Sequence, residues 1–158
     1  RIGCLLSRNR EFMDLGLKYC QARGCSPTLE QLGAAALYET PDSYLAEVNE
    51  EYRKRRDTLF EGLNEIPGIV CRKPEGAFYI MAKLPVDNAE KFIIWMLNEF
   101  SDDGETVMAA PAEGFYATPG LGGQEIRMAY VLKEKDLKRA VELLAKGISQ
   151  YPGRRSGF

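Results

Sequence analysis

An α/β fold, a short sheet packed with helices and preceded by one long helix, is what this sequence predicts. Three observations carry that expectation. Beyond Pro67 short β-type runs alternate with amphipathic helical segments. Between Asn9 and Pro67 the apolar residues fall at helical spacing. The 158 residues are 45% apolar and 10% aromatic, enough to bury the core of about one domain, which excludes a disordered chain.

Taken in order, Ile2-Gly3-Cys4-Leu5-Leu6 is a short apolar run of the kind that forms a fully buried strand. Phe12, Leu15, Gly16 and Tyr19 line one face of a helix over 9–23, with Gly24 as its stop. Ser26 is the expected cap of a second helix, with Pro27 in its first turn and a small-residue face of Leu29, Leu32, Gly33 and Ala36. Thr40 and Pro41 start a third helix, striped by Leu45, Val48, Tyr52, Leu59 and Leu63 up to Pro67-Gly68. About 25 residues at ~1.5 Å each make a rod of roughly 37 Å, long enough to join two domains. Strands are expected at 69–71, 77–81, 106–109 and 125–131. One intervening helix is expected to use Asp87 as cap, with Glu90 three residues on, and to turn Phe92, Trp95, Met96 and Phe100 inward. The last helix presents Leu137, Val141, Leu144 and Ile148 on one face, and residues 151–158 are expected to fray.

Composition also bounds the function. Twenty-one Lys+Arg against 23 Asp+Glu give a net charge of -2 with no long basic run, which speaks against a nucleic-acid or anionic-membrane partner. No apolar stretch approaches the roughly 20 residues of a membrane span, so a cytoplasmic protein is expected. The chain has no histidine, which removes Ser/His and Cys/His nucleophile systems and the commonest metal ligand. Cys4, Cys20, Cys25 and Cys71 match neither a redox pair nor zinc-ligand spacing, so no metal is expected and the thiols are read as free and buried. Chemistry here must use Arg, Lys, Tyr, carboxylates or a borrowed cofactor.

In the segment 125–131 alternation places Arg127, Ala129 and Val131 on one face and Ile126, Met128 and Tyr130 on the other. Both faces are mostly apolar. An Arg in such a strand must meet an anion: a ligand, or Glu125, Glu75 or Glu113, unless it stands at an exposed edge. Gly114, Gly120, Gly122 and Gly123 lack the order of a phosphate or dinucleotide loop and read as turn residues. Arg53, Lys54, Arg55 and Arg56 read as a solvated helix face.

Five segments in this order resemble the pyridoxal-phosphate aminotransferases of class I (fold type I), most of all bacterial and archaeal aspartate aminotransferases. Arg1-Ile2-Gly3 is similar to the R-x-G that follows the cofactor-binding lysine, and Cys25-Ser26-Pro27 with Gln31 to the S-x-P segment. Tyr52, Arg56, Asp57 and Leu59 resemble the pattern on the helix joining the two domains. Lys73-Pro74-Glu75-Gly76-Ala77-Phe78-Tyr79 resembles the start of the small domain. Pro111 to Tyr116, followed by Glu125-Ile126-Arg127, resembles its last motif.

The resemblance implies roles residue by residue. Arg1 contacts the cofactor phosphate, Arg127 clamps the substrate α-carboxylate, and Phe78 packs near that Arg and helps exclude water. Arg23, three residues before Ser26, has the approximate place of an Arg that reaches across a dimer to the distal carboxylate of aspartate; a helix-capping role is the alternative. The implied chemistry is transamination between an amino acid and a 2-oxo acid, with pyridoxal 5'-phosphate, in a homodimer. The cofactor-binding lysine is expected upstream, so no catalytic residue is expected in this chain and the chain alone is expected to be inactive. It reads as a C-terminal portion: 1–40 a remnant of the large domain, 41–66 the interdomain helix, 67–158 the small C-terminal α/β domain. A C-S lyase, an aromatic or alanine aminotransferase, a free-standing α/β binding module and a catalytically dead scaffold are the other readings.

Overall fold

The structure is a computed structural model that describes residues 2–155. It divides into two compact units, one ending at Ala46 and the other beginning at Glu47.

In the first unit, α1 (Arg10–Arg23) starts where Asn9 Oδ1 accepts the Phe12 N–H and stops at Gly24, whose φ of 88° suits glycine. The second helix, α2 (Thr28–Ala36), begins one residue later than expected. Pro27, extended at ψ 143°, takes the cap position, and Ser26 serves instead through its carbonyl, which accepts from Gln31 Nε2 at 2.6 Å. The run Ile2 to Leu6 is no strand: it is irregular and exposed, with Leu6 at 93%. A strand needs a ladder for its N–H and C=O groups, and every strand pairing among the described residues lies at Val70 or beyond. No residue of α1 or α2 is buried. A short 3-10 turn (Leu37–Glu39) then leads to α3 (Asp42–Glu65).

The second unit is built on four antiparallel strands, β1 (Val70–Cys71), β2 (Tyr79–Lys83), β3 (Ala110–Pro111) and β4 (Glu125–Ala129), in the order β1-β2-β4-β3. Alternation sorts β2 and β4 cleanly. Ile80 and Ala82 share the buried face with Ile126 and Met128, and they join a core with Leu59 and Leu63 of α3, Phe92, Ile93 and Met96 of α4 (Ala89–Asn98) and Leu137, Leu144 and Ile148 of α5 (Glu134–Gln150). Val141, expected on that stripe, is only half-buried. The opposite face is open: Met81, Arg127 and Ala129 are half-buried and Tyr79 is exposed. The strand at 125–131 is therefore covered on one side, not both.

Several boundaries differ from expectation, each for a local reason. β2 starts at Tyr79 because Ala77 sits at φ 56°, a conformation no strand accepts, and its carbonyl is taken by the Tyr130 hydroxyl at 2.9 Å. The third strand lies at 110–111, where Ala110 and Pro111 pair with Arg127 and Ile126, while 106–109 has no ladder. Helix α4 is capped by Asn88, whose Oδ1 accepts the Lys91 N–H at 2.9 Å. Asp87 is drawn elsewhere, accepting the Asn88 N–H at 2.7 Å and the Tyr151 hydroxyl at 3.1 Å. Replacing Asn88 by Ala is accordingly expected to lower stability by about 1 kcal/mol. Urea unfolding checks this; an unchanged midpoint would return the cap to Asp87.

The segment after α5 is not frayed as far as it is described. Tyr151 is buried, the Asp87 N–H donates to Gly153 O and the Arg155 N–H to Pro85 O, both at 2.9 Å. Burial, then the hydrogen bond to Asp87, pushes the Tyr151 phenol up to about 12. Residues 156–158 lie outside the described residues. The cysteines are free, but Cys4, Cys20 and Cys25 are exposed, since the first unit encloses no core; Cys71 is half-buried. Among the described residues no helix is long and apolar enough to cross a membrane.

Candidate functional site

The site is built outward from Arg127. β4 lies inside the sheet, between β2 and β3, so Arg127 is fixed on both sides by pairing with Met81 and Ala110. Its side chain stands on the open face. The guanidinium carbon lies over two aromatic rings, 4.3 Å from the centroid of Tyr79 and 4.3 Å from that of Phe115. Tyr79 comes from β2, diagonal to Arg127 on the same face, and Phe115 from a 3-10 turn (Glu113–Phe115) beyond β3. A guanidinium lying on aromatic faces keeps its N–H donors at its edge, where a planar anion can meet them.

Of the anions weighed for Arg127, none of Glu125, Glu75 and Glu113 is its partner: among the described residues Arg127 has no ion pair and no hydrogen bond. Glu125, nearest along the strand, accepts instead from the Tyr116 hydroxyl at 2.5 Å. That bond raises the Tyr116 phenol above its ordinary range, with burial a smaller cause.

Phe78 lies one ring further out. Its ring neighbours are Tyr79, at 4.5 Å between centroids, and Tyr52 of α3, at 6.3 Å. Its carbonyl accepts the Tyr130 N–H, which continues the β2–β4 ladder past its last paired residues. Arg23 closes α1 and is exposed, and Arg1 lies outside the described residues.

The basic run on α3 is not the plain solvated face expected from sequence. Arg53 pairs with Glu50 at the surface, but Arg55 donates to Val131 O at 2.6 Å as well as to Glu51. Arg56 bonds Asp57 at 2.7 Å and reaches Pro74 O. The Arg56 bond, followed by that of Lys73, holds the Asp57 carboxyl below its usual range. These contacts tie α3 to the segments leading into β2 and out of β4. The glycines act as turn residues, Gly120 and Gly122 at φ 84° and 77°. Among the described residues no group of side chains is placed to hold a metal ion.

Tyr79, Phe115 and Tyr116 are the residues sequence reasoning missed. Tyr79 was within reach, since two residues from Met81 it must share the Arg127 face once the ladder is known. Phe115 and Tyr116 carry no periodic signal, because a glycine-rich loop separates them from β4.

The second unit is thus an α/β module whose sheet is buried on one face and on the other presents Arg127, framed by two aromatic rings and without an ion pair among the described residues. The chain belongs to the aminotransferase class I and II family, which matches residues 1–144. Aspartate aminotransferase of Rhizobium meliloti (strain 1021) is 29% identical over 137 residues, 79% of this chain and 31% of that protein. LL-diaminopimelate aminotransferase of Oleidesulfovibrio alaskensis is 35% identical over 105 residues, 66% of this chain and 25% of that protein. The solved structure of alanine aminotransferase from Pyrococcus furiosus matches with a TM-score of 0.67 at 30% identity, over 83% of this chain and 32% of that one. The chain thus spans about a third or less of the length of the relatives it matches.

Proposed function

We propose that this chain is the substrate-carboxylate-binding part of a pyridoxal-phosphate-dependent aminotransferase that moves an amino group between an amino acid, aspartate first, and a 2-oxo acid. The observation that carries this reading is Arg127, fixed in the sheet of a chain of this family, lying on two rings and without an anionic partner among the described residues. Two parallel N–H bonds from its edge would grip the α-carboxylate. The rings of Tyr79 and Phe115 displace water and strengthen that grip, and Phe78 extends the aromatic wall.

The cofactor, when bound, takes up the electrons released at the substrate α-carbon. Arg1, the one residue the resemblance assigns to the cofactor, lies outside the described residues. In this reading residues 1–40 belong to the large domain, 41–66 join the domains and 67–158 form the small domain of a cytoplasmic homodimer. The exposed apolar side chains of α1 and α2, such as Leu29 at 81% and Tyr19 at 79%, support it, since helices that bury nothing are ordinarily packed against further chain.

The test is amino transfer by the whole enzyme, supplied with pyridoxal phosphate and a 2-oxo acid, across aspartate, alanine, phenylalanine and diaminopimelate. Transfer is expected, fastest with aspartate. Release of ammonia or cleavage of a C–S bond in place of transfer would make the protein a lyase of the same fold. The 158-residue chain alone is expected to transfer nothing, because none of its nine lysines stands in the motif preceding R-x-G; turnover by it would overturn the assignment of the lysine to another part of the protein.

A further inference from the structure

Glu125 and Arg127 stand two residues apart on the same open face of β4, roughly 6.6 Å along the strand at about 3.3 Å per residue. A carboxylate there is within reach of a guanidinium. Paired with Arg127, it would compete directly with a substrate carboxylate for the same donors. In the structure it is not paired with Arg127: its Oε2 accepts the Tyr116 hydroxyl at 2.5 Å.

The Tyr116 ring is seated for that bond. It packs on Gly122 so closely that a Cβ at this glycine would lie 2.6 Å from Cδ2 and 2.7 Å from Cε2 of the ring, and Gly122 takes a φ of 77°. The Glu125 N–H donates to Gly122 O and the Ala112 N–H to Glu125 O, both at 2.9 Å, while the Tyr116 N–H donates to Glu113 O at 3.1 Å. The turn bearing Phe115 and Tyr116, the glycine beneath the ring and the carboxylate on β4 are thereby joined into one piece. Lys83 stands opposite Glu125 in the ladder.

We propose that Tyr116 is a positioning residue for substrate binding: its hydroxyl engages the Glu125 carboxylate and so leaves Arg127 open to the substrate. The proposal rests on the reading of Arg127 as the carboxylate-binding residue. Removing the hydroxyl alone, by Tyr116→Phe, frees Glu125 to close onto Arg127 while keeping the ring on Gly122 and Phe115 in place. A half-buried ion pair of about 1 kcal/mol then occupies Arg127 in most molecules and weakens carboxylate binding by about fivefold.

The experiment uses the whole enzyme and succinate, a dicarboxylate that cannot donate an amino group, with affinity measured by calorimetry. Tyr116→Phe is expected to weaken succinate binding about fivefold, and to raise KM for the amino-acid substrate similarly with kcat within twofold. Adding Glu125→Gln to Tyr116→Phe is expected to restore binding to within twofold of the parent, since a neutral amide forms no ion pair with Arg127. A Tyr116→Phe affinity within twofold of the parent overturns the proposal. So does a loss that Glu125→Gln does not restore, because a latch that served only to hold the turn would gain nothing from neutralising the carboxylate. Succinate binding is read without turnover, so the proposal is decided even if the enzyme proves to catalyse another reaction. Conversely, succinate affinity unmoved by Arg127→Lys would place the failure in the assignment of Arg127.

Discussion

Arg127→Lys in the whole enzyme is expected to lower kcat/KM by about 2 to 5 kcal/mol although the charge is kept. The size of the loss follows from shape. A guanidinium can rest against the rings of Tyr79 and Phe115, whose centroids each lie 4.3 Å from its carbon, and still direct two coplanar N–H groups at a carboxylate. An ammonium is a compact charge whose three N–H donors diverge tetrahedrally, so it cannot match two coplanar bonds to a carboxylate, and it leaves the two rings without a planar partner. The backbone position would not change, because residue 127 is held by ladder pairs to Met81 and Ala110. A loss of function with intact folding therefore isolates the clamp. Steady-state kinetics on the amino-acid substrate checks it, and a change below about twofold would make Arg127 a structural residue.

How far the sequence alone reaches is visible in these same elements. Helices α1, α3, α4 and α5 were legible because periodicity over ten or more residues integrates many weak preferences. β1 falls within the expected 69–71, whereas β3 lies beyond the expected 106–109, since a strand of two residues is defined by its partner's register and not by its own composition. Asp87 and Asn88 are adjacent and both good caps; the choice was made by Tyr151, whose hydroxyl claims Asp87 from the far end of α5. The run Ile2 to Leu6 has the composition of a buried strand and no ladder to join. At the site, alternation alone put Arg127 on the face opposite Ile126 and Met128. The openness of that face was hidden, because Ala129 and Val131 beside it look like core residues. The rings on Arg127 and the hydroxyl on Glu125 arrive from other strands and loops, which only the assembled sheet brings together.

In the dimeric enzyme we propose, Arg23→Ala is expected to lower kcat/KM on aspartate by about 3 kcal/mol, the scale of breaking a desolvated charge pair, and to leave alanine or phenylalanine within about twofold. The asymmetry is the argument. An arginine that reads the distal carboxylate contributes nothing to a substrate that lacks one, whereas Arg127 meets the α-carboxylate every amino acid carries. Arg23 is suited to such reach: it is the last residue of α1, exposed, and followed by Gly24, whose left-handed φ of 88° ends the helix and turns the chain. The same position also favours a cation electrostatically, since the helix dipole places partial negative charge on the final carbonyls. Those two roles separate in the substrate comparison. A helix-capping arginine, once removed, weakens α1 by a fraction of a kcal/mol whatever substrate is present. An equal loss on aspartate and on the neutral amino acids would therefore assign Arg23 to the helix, and the distal carboxylate of aspartate would need a cation from another part of the enzyme.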